Sequence, residues 1–300
     1  MPPSQRFEIT REDAGGRLDR FLAVRMGLSR SQVRKLLASG AVKVGERLSD
    51  ASSKSLELGV GEVVEVAAFT PPEEQEAAEE PGLALDVLAK GPGWVVVDKP
   101  AGMPVHPLRE DERGTALNAL IARHPELSGV GEGALRSGVV HRLDVDTSGA
   151  LLFATEQRCW ERLREAFRSH RVTKRYTALV DGTASEGEAE VLLYVAASRP
   201  AVVSVATDPR ERRSWPTRTR WRVSRDLGDA TLLEVEIETG FLHQIRATLA
   251  HLGHPILGDR IYAPESVAAR APRQLLHASH LAFEEVEASS PLPEDFARFL

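Results

Sequence analysis

The sequence predicts an α+β protein: a small N-terminal α/β unit precedes a larger domain that has a mixed or antiparallel sheet with flanking helices. In the larger part, strand-like runs outnumber helical runs and follow one another in groups, which is typical of α+β folds rather than doubly wound ones. Between the parts lies FTPPEEQEAAEEPG, residues 69–82, a Pro-rich and acidic run that cannot bury a core. We therefore predict a first domain over 1–68, a linker over 69–82 and a second domain over 83–300.

The small unit combines two helical patterns with short strands. Apolar residues recur at helical spacing over 17–26, and a second helix over 31–39 follows Ser29, a favourable N-cap residue. Arg30 and Arg34 are four residues apart, so both point from one helix face. The later runs VKV and VVEV indicate strands. The segment from about 17 to 66 resembles the S4-type RNA-binding domain, which implies that the two arginines bind RNA; a solvated charged face is the alternative.

The larger domain is predicted to contain several strands and three helices. Short apolar and alternating runs predict strands over 86–90, 94–98, 174–180, 202–205, 219–223 and 232–237. Helical periodicity predicts helices over 115–123, 156–169 and 242–252. Two further apolar runs, 139–140 and 150–153, flank a polar turn, so we expect a strand on each side of it.

Composition restricts the class of protein. The chain has 300 residues, of which 42% are hydrophobic, so it can bury a substantial core. Its one cysteine, Cys159, excludes an internal disulfide framework and any multi-cysteine metal site. No apolar run approaches the roughly 20 residues that cross a bilayer, and the polar N-terminus lacks a signal-peptide pattern. We expect a soluble protein of the cytoplasm.

The net charge of −6 does not argue against a nucleic-acid partner, because it is unevenly distributed. Six acidic residues and no basic ones fall between 71 and 86. Residues 1–60 carry eleven basic side chains against seven acidic ones. Of the 38 basic residues, 32 are arginine, whose guanidinium suits bidentate contact with phosphate.

The stretch GVVHRLDVDTSGALLFAT, residues 138–155, carries the densest set of reactive side chains. An apolar run leads into a polar turn, and a second apolar run leaves it. Rigid strands that present polar loop groups are a common way to build a site. From the residue types alone, Asp144 could be a nucleophile or a base, whereas 147–149 could serve only to shape the turn of a well-capped hairpin.

Five ordered motifs resemble the RluA-type pseudouridine synthases. The segment HRLDVDTSG within 138–155 matches the hallmark of that family in full. The other matching segments are VVVDKPAGMPVHP (95–107), KRYTALVDG (174–182), TGFLHQIRATLAHLGHPILGDRIY (239–262) and LLHASHLAF (275–283). The resemblance spans nearly all of 83–283. The chain departs from the family pattern at Phe241 and Leu242, where the usual residues are Arg and Thr, and at Ala247 and Thr248, where they are Val and His.

The resemblance implies that the chain isomerises uridine in RNA to pseudouridine without a cofactor. It assigns the essential carboxylate to Asp144, with Arg246 as its ion-pair partner, and stacking on the target base to Tyr176. Asp144 then adds covalently to the sugar or base, or abstracts a ribose proton. Arg142 matches an arginine that enters the base stack when the nucleotide flips. Lys174 shares a strand face with Tyr176 and is expected to contact RNA.

Other groups are expected to support the site or the surface. We expect His106, His141, Thr147 and Ser148 to support the site; for His106, which lies between Val105 and Pro107, a purely structural role is the favoured alternative. We expect no metal site, although ligand-type side chains occur together at His243, His251, His254 and Asp259. A basic surface face is predicted from Arg162, Arg168, Arg171 and Arg175. Residues 210–225 hold seven arginines and two tryptophans, which fits an RNA-contacting hairpin or core packing equally well.

Several functional hypotheses stay open at this point. Large-subunit ribosomal RNA is the expected substrate, with transfer RNA as the alternative. A non-catalytic RNA-binding protein of ribosome assembly could keep the same scaffold. A hydrolase using Asp144 and His141 is a third class, which needs a water-activating partner that the sequence does not identify. We expect a monomer whose partner is RNA.

Overall fold

The computed structural model describes residues 4–71, 74–195, 202–206 and 214–300. The chain divides into two compact units, Met1–Glu76 and Ala77–Leu300. Ala77 is buried in a core cluster of the larger unit, and the side-chain amide of Asn118 donates to the Ala78 carbonyl. The last residues of the predicted linker therefore pack on the larger unit, because their small side chains and backbone groups find partners there.

The smaller unit is a four-stranded antiparallel sheet with two helices. Among the described residues, its strands lie in the order β1-β4-β2-β3, and Val42 is paired with both Ser49 and Val66. Val33, Leu36 and Leu37 bury one face of the second helix. The elements are β1 (Gln5–Glu8), α1 (Leu18–Met26), α2 (Arg30–Ala38), β2 (Val42–Val44), β3 (Arg47–Ser49), a 3-10 turn (Ala51–Ser55) and β4 (Val63–Val66).

Capping residues fix where the two helices begin and end. Gly27 takes the left-handed conformation with φ 67° and donates its N–H to the Ala23 carbonyl, which ends α1. Ser29 and Gln32 form a reciprocal capping box that starts α2. Both predicted helices are thus confirmed, to within one residue at their ends.

The larger unit is built on one mixed sheet. Its described strands are β5 (Asp86–Gly91), β6 (Trp94–Lys99), β7 (Ser148–Ala154), β8 (Thr173–Asp181), β9 (Gly187–Val195), β10 (Val203–Val205), β11 (Trp215–Asp226), β12 (Ala230–Ile237), β13 (Leu276–Phe283) and β14 (Val286–Ser289). Their order is β10-β9-β11-β12-β8-β13-β7-β6-β5, with β14 paired to β13. Of the pairings between these strands, β13 with β7 is parallel and the others are antiparallel. The predicted α+β class is confirmed.

Short helices cover the sheet. They are α3 (Ala116–Ile121), α4 (Gln157–Arg168), α5 (Gln244–His251), α6 (Glu265–Ala268) and α7 (Glu294–Ala297), with 3-10 turns at Pro125–Leu127 and Ala134–Arg136. All residues of α3 are buried, and Thr115 caps it through a reciprocal pair of bonds with Asn118. No helix among the described ranges is long and apolar enough to span a membrane.

The parallel pair at the centre of the sheet positions the polar turn that precedes β7. Ser148 lies opposite His277, and Gly149 lies opposite Ala278. Gly149 has φ +115°, and a Cβ there would lie 2.2 Å from the Ala278 carbonyl oxygen, so the close approach requires glycine. The start of β7 is therefore docked directly on β13.

The chain before this turn differs from the prediction. Val139 makes one isolated antiparallel bridge with Phe153, and residues 141–144 have no regular structure. The predicted strand at 139–140 is wrong, because the bridge between Val139 and Phe153 does not extend to neighbouring residues. The polar turn is thus a loop entering a single strand and not the end of a two-stranded hairpin.

Candidate active site

Asp144 lies on a tight turn whose backbone is tied to neighbouring segments. The Thr147 N–H donates to the Asp144 carbonyl at 3.1 Å and closes the turn. The Val145 carbonyl accepts from the Gly102 N–H at 2.9 Å and from Lys99 Nζ at 2.8 Å. The Asp144 side chain keeps 21% of its surface exposed. A rigid turn therefore presents a carboxylate that solvent or a substrate can reach.

Lys99 is fully buried beneath this turn. Its ammonium donates to the carbonyl oxygens of Pro100 and Met103 as well as to Val145. Burial lowers the pKa of Lys99 to about 7, while the nearby charges of Asp146 and Asp144 act in the opposite direction. Lys99 thus joins the end of β6 to the turn.

Arg246 on α5 binds Asp144 and a second carboxylate together. Its Nη1 donates to Asp144 Oδ2 at 2.8 Å. Its Nε donates to Asp259 Oδ2 and its Nη2 to Asp259 Oδ1, both at 2.8 Å. The Arg246 side chain is 4% exposed and Asp259 is fully buried. Burial lowers the pKa of Arg246, but the bonds and charges of both carboxylates outweigh it and raise that pKa above its ordinary value. The guanidinium is therefore permanently charged and pinned in place.

His243 is the imidazole nearest to Asp144. It caps α5 in the left-handed conformation with φ 51°, which is uncommon for a side chain other than glycine. Its Nδ1 lies 2.9 Å from the Tyr262 hydroxyl, and its Nε2 lies 3.8 Å from Asp144 Oδ1. Burial lowers the pKa of His243, so the ring is neutral near pH 7.

His141 instead supports the sheet. Its Nε2 accepts the Leu152 N–H at 3.0 Å, and its ring stacks on Phe167 at 4.7 Å between centroids. Burial lowers the pKa of His141 to about 3. Among the described residues, the histidine within 4 Å of the Asp144 carboxylate is His243 and not His141, so this geometry does not favour the hydrolase hypothesis.

Tyr176 and Lys174 occupy one face of β8, as their spacing predicts, and both are buried. Burial, and next the charge of Asp144, raise the pKa of Tyr176, so its phenol stays protonated. Lys174 Nζ donates to the carbonyl oxygens of Glu238 and Thr239 at 2.9 and 3.0 Å. Lys174 thus fixes the segment before α5, and its ammonium is not displayed for the RNA contact that we expected.

Of the remaining predicted residues, some are exposed and others are buried. Arg142 is exposed on the loop before Asp144, and Arg30 and Arg34 are exposed on α2 of the smaller unit. The buried ones are His106, whose Nδ1 lies 2.9 Å from the Pro107 carbonyl oxygen, and Thr147 and Ser148. The structure therefore brings Asp144, Arg246 and Tyr176 to one site and adds Asp259 and His243.

The predicted basic face is paired with acidic side chains. Arg162 contacts Glu284 and Glu285, Arg168 contacts Glu165, Arg171 contacts Glu284, and Arg175 contacts Glu236. On β11, Arg218 and Arg220 contact Glu188 and Glu238, and Trp221 donates to the Ser185 carbonyl. Three of the seven arginines between 210 and 225 lie outside the described residues.

Asp259, the carboxylate of the ligand-type cluster, is occupied by Arg246. Within the described ranges, His, Cys, Asp and Glu side chains form no group of three or more that could hold a metal ion. The bidentate contact accounts for the position of Asp259 without a metal.

Two family models match the chain. The model described as RNA pseudouridylate synthase matches residues 93–251, and the S4 domain model matches residues 16–60. The first match covers the Asp144 turn, β8 and α5, which together supply Asp144, Tyr176 and Arg246.

Curated relatives align over nearly the whole chain. An uncharacterized RNA pseudouridine synthase of Chloroflexus aurantiacus is 38% identical over 98% of this chain and 90% of its own length. The ribosomal large subunit pseudouridine synthase D of Zymomonas mobilis is 33% identical over 98% of this chain and 95% of its own. Among solved structures, human RNA pseudouridylate synthase domain containing 1 is 26% identical, with a TM-score of 0.57, over 71% of this chain and 86% of its own.

Proposed function

The chain belongs to the RNA pseudouridylate synthase family, and on this premise we propose that it converts uridine to pseudouridine in large-subunit ribosomal RNA. The relative from Zymomonas mobilis carries that substrate in its name and aligns over nearly its full length. The matched S4 domain displays Arg30 and Arg34 on the exposed face of one helix, where they can neutralise phosphates.

The reaction exchanges one bond of the base for another. The bond between N1 of uracil and the anomeric carbon breaks, the base turns, and its C5 forms a new bond to that carbon. A proton leaves C5 and N1 gains one, so no electrons are transferred overall. The protein must reach both sugar and base, and the nucleotide has to leave the helical stack for this.

The contact between Arg246 and Asp144 carries the proposal. The guanidinium donates to Oδ2 at 2.8 Å, which fixes the direction of the carboxylate. Asp259 holds Arg246 from the other side, so the fork cannot rotate away. We assign to Asp144 the attack on the nucleotide, or the removal of a ribose proton, and to Arg246 the orientation of that carboxylate.

Tyr176 and Arg142 complete the proposed site. Tyr176 is buried on β8, and the charge of Asp144 acts on its phenol. We assign to its aromatic ring the stacking on the extruded uracil. Arg142 is exposed two residues before Asp144, and its planar guanidinium can fill the place that the uridine leaves. Because one chain supplies every group named here, we further propose a monomer that acts on RNA in the cytoplasm.

Tritium release tests the activity. Large-subunit ribosomal RNA labelled with tritium at C5 of uridine is incubated with the protein, and released tritium and RNA length are both measured. We expect release from RNA that stays uncut, because isomerisation alone replaces the C5 hydrogen. Binding without release would support a non-catalytic RNA-binding protein, and cleaved or base-depleted RNA would support a hydrolase.

The substrate is tested by mapping pseudouridine in total RNA from a strain that lacks the gene and from its parent. We expect sites to disappear from large-subunit ribosomal RNA and to return when the gene is restored. Sites lost only from transfer RNA would contradict the proposed substrate while leaving the reaction intact.

A further inference from the structure

We propose that Arg273, locked by Asp295 of α7, is a positioning residue for Asp144; this rests on the function proposed above. The Asp144 turn contacts Arg246 through the Asp144 side chain. Through residues 146–148 it also contacts the segment 273–277 at the start of β13. Neither Arg273 nor Asp295 belongs to the motifs that led to Asp144, Tyr176 and Arg246.

Arg273 joins three parts of the larger unit through one guanidinium. Its Nη1 donates to the Asp146 carbonyl at 3.1 Å and to the Gln274 carbonyl at 3.0 Å. Its Nη2 lies 3.4 Å from Ser148 Oγ. Nε and Nη2 bind the two oxygens of Asp295 at 2.6 and 2.9 Å. The side chain is 8% exposed, so these bonds are largely protected from water.

The neighbouring residues reinforce the same attachment. Gln274 Nε2 lies 3.4 Å from Thr147 Oγ1, and His277 Nδ1 lies 3.0 Å from Ser148 Oγ. Residues 146–148 are therefore held through a carbonyl and two hydroxyls by one short segment. Buried polar groups of this kind lose stability when a partner is removed, which resists any shift of the turn.

The attachment reaches Asp144 through two residues of backbone. The Thr147 N–H donates to the Asp144 carbonyl, so a displacement of 146–148 moves Asp144 as well. Arg246 cannot follow, because Asp259 fixes it by two bonds of 2.8 Å. The Arg246–Asp144 contact thus joins two separately anchored parts, and Arg273 sets the position of one of them.

This arrangement affects the chemical step more than RNA binding. Arg273 is buried and contacts protein groups, so its replacement removes no exposed positive charge. A shift of about 1 Å in a catalytic group can cost about 100-fold in rate. The expected signature is a lower rate at saturating RNA with an unchanged dissociation constant.

Arg270 provides a matched control. It lies three residues before Arg273 and also pairs with two carboxylates, those of Asp181 and Asp229. Its described contacts lie away from the Asp144 turn. Replacing Arg270 thus removes an arginine paired with carboxylates, at a more exposed position, without touching the turn.

The test measures single-turnover tritium release at saturating RNA, together with RNA affinity, in the full-length protein. Arg273→Lys keeps the charge but cannot make all the contacts of the planar fork. We expect its rate to fall about 10- to 100-fold, with affinity within about threefold of wild type. Asp295→Asn should lower the rate in the same direction, and Asp295→Glu should restore part of it. Arg270→Lys should match wild type in both measurements.

The combined variant Arg273→Lys/Asp295→Asn should lose no more rate than Arg273→Lys alone, since residues that act as a unit are non-additive. A wild-type rate in Arg273→Lys, or an equal loss in Arg270→Lys, would overturn the inference. If Arg273→Lys does not fold, the rate of Asp295→Asn tests the inference by itself, and a wild-type rate in that variant would overturn it. Asp295→Asn should fold, because the Asp295 carboxylate is partly exposed and the change is isosteric. Absence of tritium release from the wild-type protein would instead overturn the proposed function.

Discussion

The two carboxylate oxygens of Asp144 have different surroundings. Oδ2 accepts a hydrogen bond from Arg246 at 2.8 Å, whereas Oδ1 lies 3.8 Å from His243 Nε2. His243 is neutral near pH 7, because burial lowers its pKa. We therefore expect Oδ1, and not Oδ2, to contact the nucleotide.

Replacing Arg246 should show how much the planar fork contributes to the orientation of Asp144. Arg246→Lys keeps a positive charge but loses the fork, so turnover should fall about 100-fold. Arg246→Ala removes the charge and every contact of the fork, so turnover should fall further. Single-turnover rates of both variants measure these losses, with circular dichroism as a check of folding. A wild-type rate in Arg246→Ala would show that this arginine does not orient Asp144.

The buried ammonium of Lys99 should make stability depend on pH. Its pKa is about 7 in the folded protein and near its ordinary value in the unfolded chain. Between these values the unfolded state binds more protons, so folding becomes more favourable as pH rises from 7 toward 10. Relative to Lys99→Met, the wild-type free energy of unfolding should increase by up to about 1.4 kcal/mol per pH unit. Urea unfolding at pH 7 and 9 tests this, and a parallel response of both proteins would contradict it.

The sequence predicted some residues of the site and missed others. Asp144 and Arg246 could be paired because their motifs resemble those of a known family. Asp259 belongs to the same motif as Arg246, but the two residues are 13 positions apart in the sequence. Their hydrogen bond depends on how the chain folds between them, which the sequence alone does not show. His243 was considered only as a ligand-type side chain, since nothing in the sequence shows its left-handed backbone or its distance from Asp144.

At the scale of elements, local signals predicted the helices better than the strands. Ser29 and Thr115 are favourable N-cap residues in the sequence, and α2 and α3 begin directly after them. β13 was not predicted, because LHASHLAF mixes histidines and small residues and lacks a clear alternation. It is buried by its neighbours β7 and β8, which is a tertiary effect.

The parallel contact between β7 and β13 should depend on Gly149. Gly149→Ala places a Cβ 2.2 Å from the Ala278 carbonyl oxygen at a backbone angle that disfavours side chains. We expect a loss of about 3 kcal/mol or more in the free energy of unfolding. Gly182→Ala is the matched control, because Gly182 also has a positive φ but no atom within 4 Å of its added Cβ. That variant should lose about 1 kcal/mol, and equal losses in urea unfolding would contradict the close approach.

At the scale of the whole molecule, the chain separates a unit that displays arginines from a unit that holds the site. Each unit has its own core cluster. The acidic composition of 69–82 predicted a separation there, but composition alone could not show that Ala77 would be buried. Alanine occurs both at protein surfaces and in cores, so one alanine in an acidic run does not indicate whether it is buried.

Deleting residues 1–76 should weaken RNA binding more than chemistry. The deletion removes Arg30 and Arg34 and none of the groups around Asp144. We expect a higher KM for structured RNA and a shallower dependence of binding on salt concentration. The single-turnover rate at saturating RNA should stay within about tenfold of wild type, once circular dichroism has shown that 77–300 folds. Loss of that rate in a folded protein would contradict the division of labour.

The most direct test of the catalytic site is the substitution Asp144→Asn. The change is nearly isosteric, removes the carboxylate and adds no positive charge. RNA affinity by gel shift should therefore stay within about tenfold, or 1.4 kcal/mol. Single-turnover tritium release from C5-labelled RNA should fall below detection, while Asp146→Asn on the same turn should retain activity. Measurable isomerisation by Asp144→Asn would remove Asp144 from the chemistry and contradict the proposed mechanism.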